Sequence, residues 1–164
     1  MRIRDGAKSA IFLLNYSLVI LVMSLVAVFP AGAASAPVLA IFDADGKEVF
    51  SRKLPPDEGF AIRYTHSVAL TPVIDYFLVE DGKIYIDSTV YEDFGAGLPY
   101  ETQGDQKMSS EHGKIVLTGL KREVSPFELR VGRIANHTLI IDGEELPLAK
   151  IERPGGTLVF KIRY

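Results

Sequence analysis

Hydrophobic and polar positions follow two regimes along the chain. From Ala10 to Phe29 twenty residues pass without a charge, with Asn15, Ser17 and Ser24 as polar interruptions. After Pro37 the apolar residues fall into short segments of period two. Phe60, Ile62 and Tyr64 alternate with Ala61 and Arg63, so they share one face of a strand. The same alternation runs over Lys83–Asp87, with Ile84 and Ile86 facing inward, and over Leu129–Val131 and Leu158–Ile162. Val73 to Val79 is more continuously apolar, the pattern of a strand covered on both faces.

Turn residues punctuate these segments. Asp45-Gly46, Asp81-Gly82 and Asp142-Gly143 each separate two apolar runs, and His112-Gly113 is a weaker case. Asp-Gly supplies the positive φ angles of tight hairpins. Hairpins are therefore expected to join Val38–Asp43 to Lys47–Phe50, Ile74–Glu80 to Lys83–Tyr91, and Thr138–Ile141 to Glu144–Leu148. Residues 101–112 are polar and read as a long exposed loop. In Thr157–Tyr164, Lys161 and Arg163 alternate with apolar residues, as on an edge strand guarded against foreign pairing. No segment after Pro37 keeps a helical period. The expected fold is all-β: an antiparallel β-sandwich or small barrel of about eight to eleven short strands, preceded by one N-terminal apolar helix.

The flanks of that first apolar run give it a role. Arg2, Arg4 and Lys8 precede it, and Pro30 with the small residues Ala31-Gly32-Ala33-Ala34-Ser35-Ala36 follows. Basic start, apolar middle and small-residue exit form an export signal, and twenty residues also suffice to span a bilayer. Residues 1–36 thus read as a signal peptide or a retained membrane anchor, and residues 37–164 as an exported β-domain. The basic flank belongs on the cytoplasmic side, which puts the domain in the periplasm or on the outer face of the cytoplasmic membrane, anchored or secreted.

Composition and charge narrow the classes. The whole chain is 48% hydrophobic with a net charge of −3. Residues 37–164 keep 15 basic against 20 acidic side chains, a net charge of −5. No basic block is present, which argues against nucleic acid as a partner. The absence of cysteine removes disulfides, thiolate metal sites and a cysteine nucleophile.

Candidate chemistry centres on few residues. His66 follows Tyr64-Thr65 at the end of a strand and lies on the same strand face as Ile62 and Tyr64, so its imidazole is expected to point inward. Asp75 on the next strand is a candidate partner for an inward imidazole. With His137, these two could hold a divalent metal or a small anionic ligand, since imidazole and carboxylate suit such ions. The blander alternative is a satisfied polar pair of His66 and Asp75 near the core. A serine hydrolase would need Ser67 beside His137, and no G-x-S-x-G turn exposes that hydroxyl. Gly95-Ala96-Gly97-Leu98-Pro99 reads either as a tight corner or as a loop facing a ligand or partner, through Gly95, Gly97 and Pro99. His112 reads as a solvated turn residue, and Asn136-His137-Thr138 fits the glycosylation triplet.

Taken together, Tyr64-Thr65-His66-Ser67-Val68, Pro72-Val73 with Asp75, Gly95-Ala96-Gly97-Leu98-Pro99, Arg130-Val131-Gly132 and Asn136-His137-Thr138-Leu139 resemble the family called domain of unknown function 1850. The likeness covers most of residues 38–142. The family's acidic position is usually glutamate, where this chain has Asp75. The resemblance implies an accessory or binding protein of a TAXI-class tripartite ATP-independent periplasmic (TRAP) uptake system, with a transporter component as partner. It implies no catalytic residue. The alternative is a metal-dependent or serine hydrolase of the cell envelope.

Overall fold

The structure is a computed structural model that describes residues 35–55, 59–94 and 97–164. All of them belong to one unit, Ser35–Tyr164. The apolar helix expected near the N-terminus, and with it the export or anchoring role, lies outside the described residues.

Alternation after Pro37 does become strands. They are β1 (Val38–Phe42), β2 (Glu48–Lys53), β3 (Phe60–Thr65), β4 (Pro72–Glu80), β5 (Lys83–Tyr91), β6 (Lys107–Glu111), β7 (Lys114–Thr118), β8 (Arg122–Glu123), β9 (Phe127–Arg130), β10 (Thr138–Ile141), β11 (Glu144–Pro147) and β12 (Thr157–Arg163). One 3-10 turn, Leu148–Lys150, follows β11, and no α-helix occurs among the described residues. The three expected hairpins form, with positive φ at Gly46, at Asp81 and Gly82, and at Asp142 and Gly143. His112 (φ 50°) and Gly113 (φ 78°) turn β6 into β7.

Every strand pairing is antiparallel. One sheet has the order β2-β1-β12-β9. The other runs β11-β10-β3-β4-β5-β7-β6, and β8 pairs β5 beyond the reach of β7. The two sheets face each other across one apolar core, so the fold is a sandwich. Phe60 and Phe77 of the larger sheet stack at 4.9 Å. Phe160 of the smaller sheet lies 6.0 Å from Phe60, and Phe127 lies 4.8 Å from Phe77 and 5.0 Å from Phe160. This ring of four aromatics joins the sheets, and each such pair adds about 0.5–1.5 kcal/mol beyond the area it buries.

Three sequence expectations change. The strands number twelve among the described residues, because β6 lies within the stretch read as a loop and β8 is only two residues long. β6 is a sheet edge with mostly exposed side chains, so its hydrogen bonds, not its hydrophobicity, define it. Thr157–Tyr164 is not an edge: β12 lies between β1 and β9. Lys161 and Arg163 alternate because they lie on the solvent face of that sheet, where Lys161 covers the Phe42 ring and Arg163 pairs with Glu48. β4 is covered fully on one face only; Val73 and Phe77 are buried while Tyr76 is exposed.

The registers also sort the connections. Residues 66–71, the start of 92–106, and 131–137 gather at one end of the sandwich, where the Thr65 N–H donates to the Ala135 carbonyl (2.7 Å). The Asp81-Gly82 and Asp142-Gly143 turns lie at the opposite end, as does Val38, the first residue of β1.

Candidate functional site

Strand β5 breaks its own alternation. Against β4, Ser88 pairs with Tyr76 but Ile86 pairs with Phe77, so Asp87 is an extra residue in the ladder. One inserted residue flips the parity of a strand. Ile84 faces the core on one side of the bulge, and Thr89 and Tyr91 are turned inward and buried on the other. Thr89 stands opposite Asp75, which shares the inner face of β4 with Val73 and Phe77.

A cavity of about 380 Å³ opens over this row, lined by Tyr64, Asp75, Thr89 and Arg122 and covered by Gly97-Leu98-Pro99, Gln103 and Gln106. Burial pushes the Asp75 carboxyl above its ordinary value, opposed by the Thr89 hydroxyl and the Arg122 guanidinium. The Thr89 oxygen lies close enough to favour the carboxylate, yet it is buried without a partner in hydrogen-bond geometry. Burial and then the Asp75 charge push the Tyr64 phenol up to about 12, so it stays a neutral donor at physiological pH.

The cover is tied down from below. The Tyr91 hydroxyl donates to the Pro99 carbonyl, and the Phe94 ring meets the Tyr91 ring edge-on at 6.0 Å. Gly97 turns at φ 90°, a conformation open to glycine. The Gln103 N–H donates to Gln106 Oε1 (3.0 Å), and the Gln106 N–H donates to the Gln103 carbonyl (3.2 Å). Of the loop residues singled out in the sequence, Gly97 and Pro99 border the cavity, and Gly95 lies outside the described residues.

The histidines do something else. β3 ends at Thr65, so strand parity does not carry the His66 ring inward. Its Nδ1 instead accepts the Ala69 N–H at 3.1 Å, with the Val68 N–H at 3.4 Å, while its carbonyl accepts the Leu70 N–H. His137 repeats the device: its Nδ1 accepts the Gly132 N–H (3.2 Å), and its ring leans on Tyr64 at 5.7 Å. A Cβ on Gly132 would come within 2.8 Å of the Ala135 Cβ, so only glycine lets this loop close. Each imidazole clasps one loop, and neither lines the cavity that Asp75 lines. Among the described residues no three His, Asp or Glu side chains are grouped to hold a metal ion. Ser67 is exposed in its turn, and no hydrogen bond among the described residues joins it to His137.

The clasped loops present apolar side chains to solvent. Val68 is 67% exposed and Leu70 66%, with Leu70 held at φ 56°, which is costly for a bulky residue. Ile134, on the neighbouring loop, is 65% exposed. Residues 67–72 carry no charged side chain. Sequence reading missed this tip, as it missed Thr89, Tyr64 and Arg122 as cavity residues. The run Val68-Ala69-Leu70 outside any strand was the one available signal for the tip.

The model of a domain of unknown function (DUF1850) covers residues 60–148, from the first residue of β3 to the 3-10 turn. No curated protein and no solved structure matches the chain.

Proposed function

We propose that this chain, which belongs to the DUF1850 family, is an extracytoplasmic accessory domain that docks a component of a TAXI-class TRAP uptake system. Its N-terminal segment exports it or holds it at the membrane, and the domain binds rather than catalyses. The observation that carries this reading is the apolar tip: Val68, Leu70 and Ile134 stand in solvent on two loops that His66 and His137 hold in fixed shape. A free monomer gains nothing from holding Leu70 in a strained conformation in water; a partner that buries it does. A domain with net charge −5 has no attraction to anionic lipid, which favours a protein partner. The transporter as that partner is what the family likeness implies. A serine hydrolase has less in its favour, since among the described residues no hydrogen bond joins Ser67 to His137, whose Nδ1 accepts the Gly132 N–H.

The test is co-purification from membranes in mild detergent. The wild-type chain brings transporter subunits with it, and the triple change V68S/L70S/I134S loses them while the domain stays folded. Equal recovery by both proteins, or no transporter subunit with either, ends the proposal.

A further inference from the structure

We propose that the cavity between the larger sheet and residues 97–106 is a binding site for a small zwitterion of amino-acid size, with its ammonium group on Asp75 and its carboxylate on Arg122. The site is distinct from the apolar tip and does not depend on the docking reading. Three observations carry it. First, the cavity holds opposite charges that do not satisfy each other. Among the described residues neither Asp75 nor Arg122 takes part in an ion pair, although four other pairs form on the surface. Arg122 nevertheless lies near enough to act on the Asp75 charge. A gap between a carboxylate and a guanidinium is the shape complementary to a molecule carrying both opposite charges.

Second, the floor carries a polar atom with no partner. Thr89 is 5% exposed and lines the cavity, and its hydroxyl, though near the Asp75 carboxyl, meets no partner in hydrogen-bond geometry. Buried polar groups are ordinarily satisfied, so this one is placed to bond something that enters. Third, the size is right. About 380 Å³ lies at the small end of ligand cavities and gives room for a single amino acid with some water. The cover supplies amides from Gln103 and Gln106. The bulge at Asp87 has a purpose in this reading: without it Thr89 would point to the other face of the sheet.

The test is calorimetric titration of the full chain in detergent. The probes are L-alanine and L-glutamine as zwitterions, with ethylammonium and propionate as single-charge controls. Zwitterions bind, the controls bind at least about tenfold more weakly, and D75N and R122Q each weaken the zwitterion about 10- to 100-fold, the scale of one charge-assisted hydrogen bond. Circular dichroism and a melt confirm that each variant is folded; Arg122 is on the surface, so R122Q serves even if D75N does not fold. The proposal falls if no zwitterion binds the folded wild type, if a single-charge probe binds as tightly, or if R122Q binds as wild type does. The V68S/L70S/I134S protein keeps zwitterion binding. Loss of binding in R122Q with normal co-purification would separate this site from the docking surface.

Discussion

Two residues apart on the inner face of β4, Phe77 and Asp75 lie under different cover. Phe77 lies under the smaller sheet, stacked on Phe60 and close to Phe127. Asp75 lies under a loop, beside an unpartnered hydroxyl and a cavity. The strand is continuous and the face is the same, so local backbone does not explain the change from phenylalanine to aspartate. What covers the position does. Under a second sheet, only apolar side chains avoid a desolvation cost; under a loop with glycine and glutamine, a carboxylate keeps partial solvation and nearby polar groups. The larger sheet therefore serves as core wall at one part of its face and as the floor of a site at another, and the Asp87 bulge lies at the seam.

The sharpest way to break this comparison is to remove an aromatic from the sheet-covered part. Phe160 is fully buried and contacts both Phe60 and Phe127. Phe160→Ala is expected to cost about 3–5 kcal/mol in denaturant unfolding, the range of large cavities in rigid cores. A cost below about 1 kcal/mol would mean that the loop-covered part holds the fold as much as the sheets do. Next is Gly132→Ala at the loop end. The new methyl meets the Ala135 Cβ at 2.8 Å, a contact that forces the loop to shift, so about 1–3 kcal/mol is expected, together with loss of partner binding.

How much of this was legible in the sequence follows the same division. Phe60, Ile62, Tyr64 and Ile84 announced their inward faces because regular alternation survives wherever a strand packs on a sheet. Asp-Gly pairs announced the tight hairpins because few other residues accept two positive φ angles in succession. Asp75 was recognisable as a candidate, but not its setting. Thr89 was not, because a bulge reverses parity without any residue-type signature, and Arg122 sits on a two-residue strand that no period can reveal. β6 was invisible for the reason edge strands often are: with neither face buried, its residues carry no hydrophobic pattern. The histidines stood out in the sequence, but their bonds to the Ala69 and Gly132 N–H groups did not, since a backbone N–H seeking an acceptor leaves no trace there.

Smaller effects test the clasps. His66→Ala leaves the Ala69 N–H without its acceptor and is expected to cost about 1 kcal/mol. His66→Asn, whose Oδ1 can take the place of Nδ1, recovers most of it; equal loss in both would show that the ring's bulk matters and its nitrogen does not. His137 adds a pH signature. Burial holds its pKa below the ordinary histidine value, so the unfolded chain binds the proton more readily than the folded one. Stability is then full at neutral pH and falls as the medium is acidified through the ordinary histidine range. Denaturation midpoints measured between pH 8 and pH 5 should fall in the wild type and stay flatter in His137→Gln. Matching slopes would remove His137 as the cause.

The smallest expected effect has the opposite sign. Burial raises the Asp75 pKa, so the folded state holds that proton more firmly than the unfolded state does. The contribution of Asp75 is therefore most favourable in acid and declines as pH rises from the ordinary carboxylate value through the raised one. At neutral pH the ionised, half-buried group is a net cost. Asp75→Asn keeps the shape, removes the charge, and is expected to raise stability by about 1 kcal/mol at pH 7 while weakening zwitterion binding about 10- to 100-fold. The gain over wild type should shrink to nothing as pH approaches the ordinary carboxylate value. A variant that becomes more stable as it loses its ligand marks a residue kept for binding. If Asp75→Asn instead lost 1 kcal/mol or more at neutral pH, Asp75 would be a structural partner of Thr89, and both parts of the β4 face would be core.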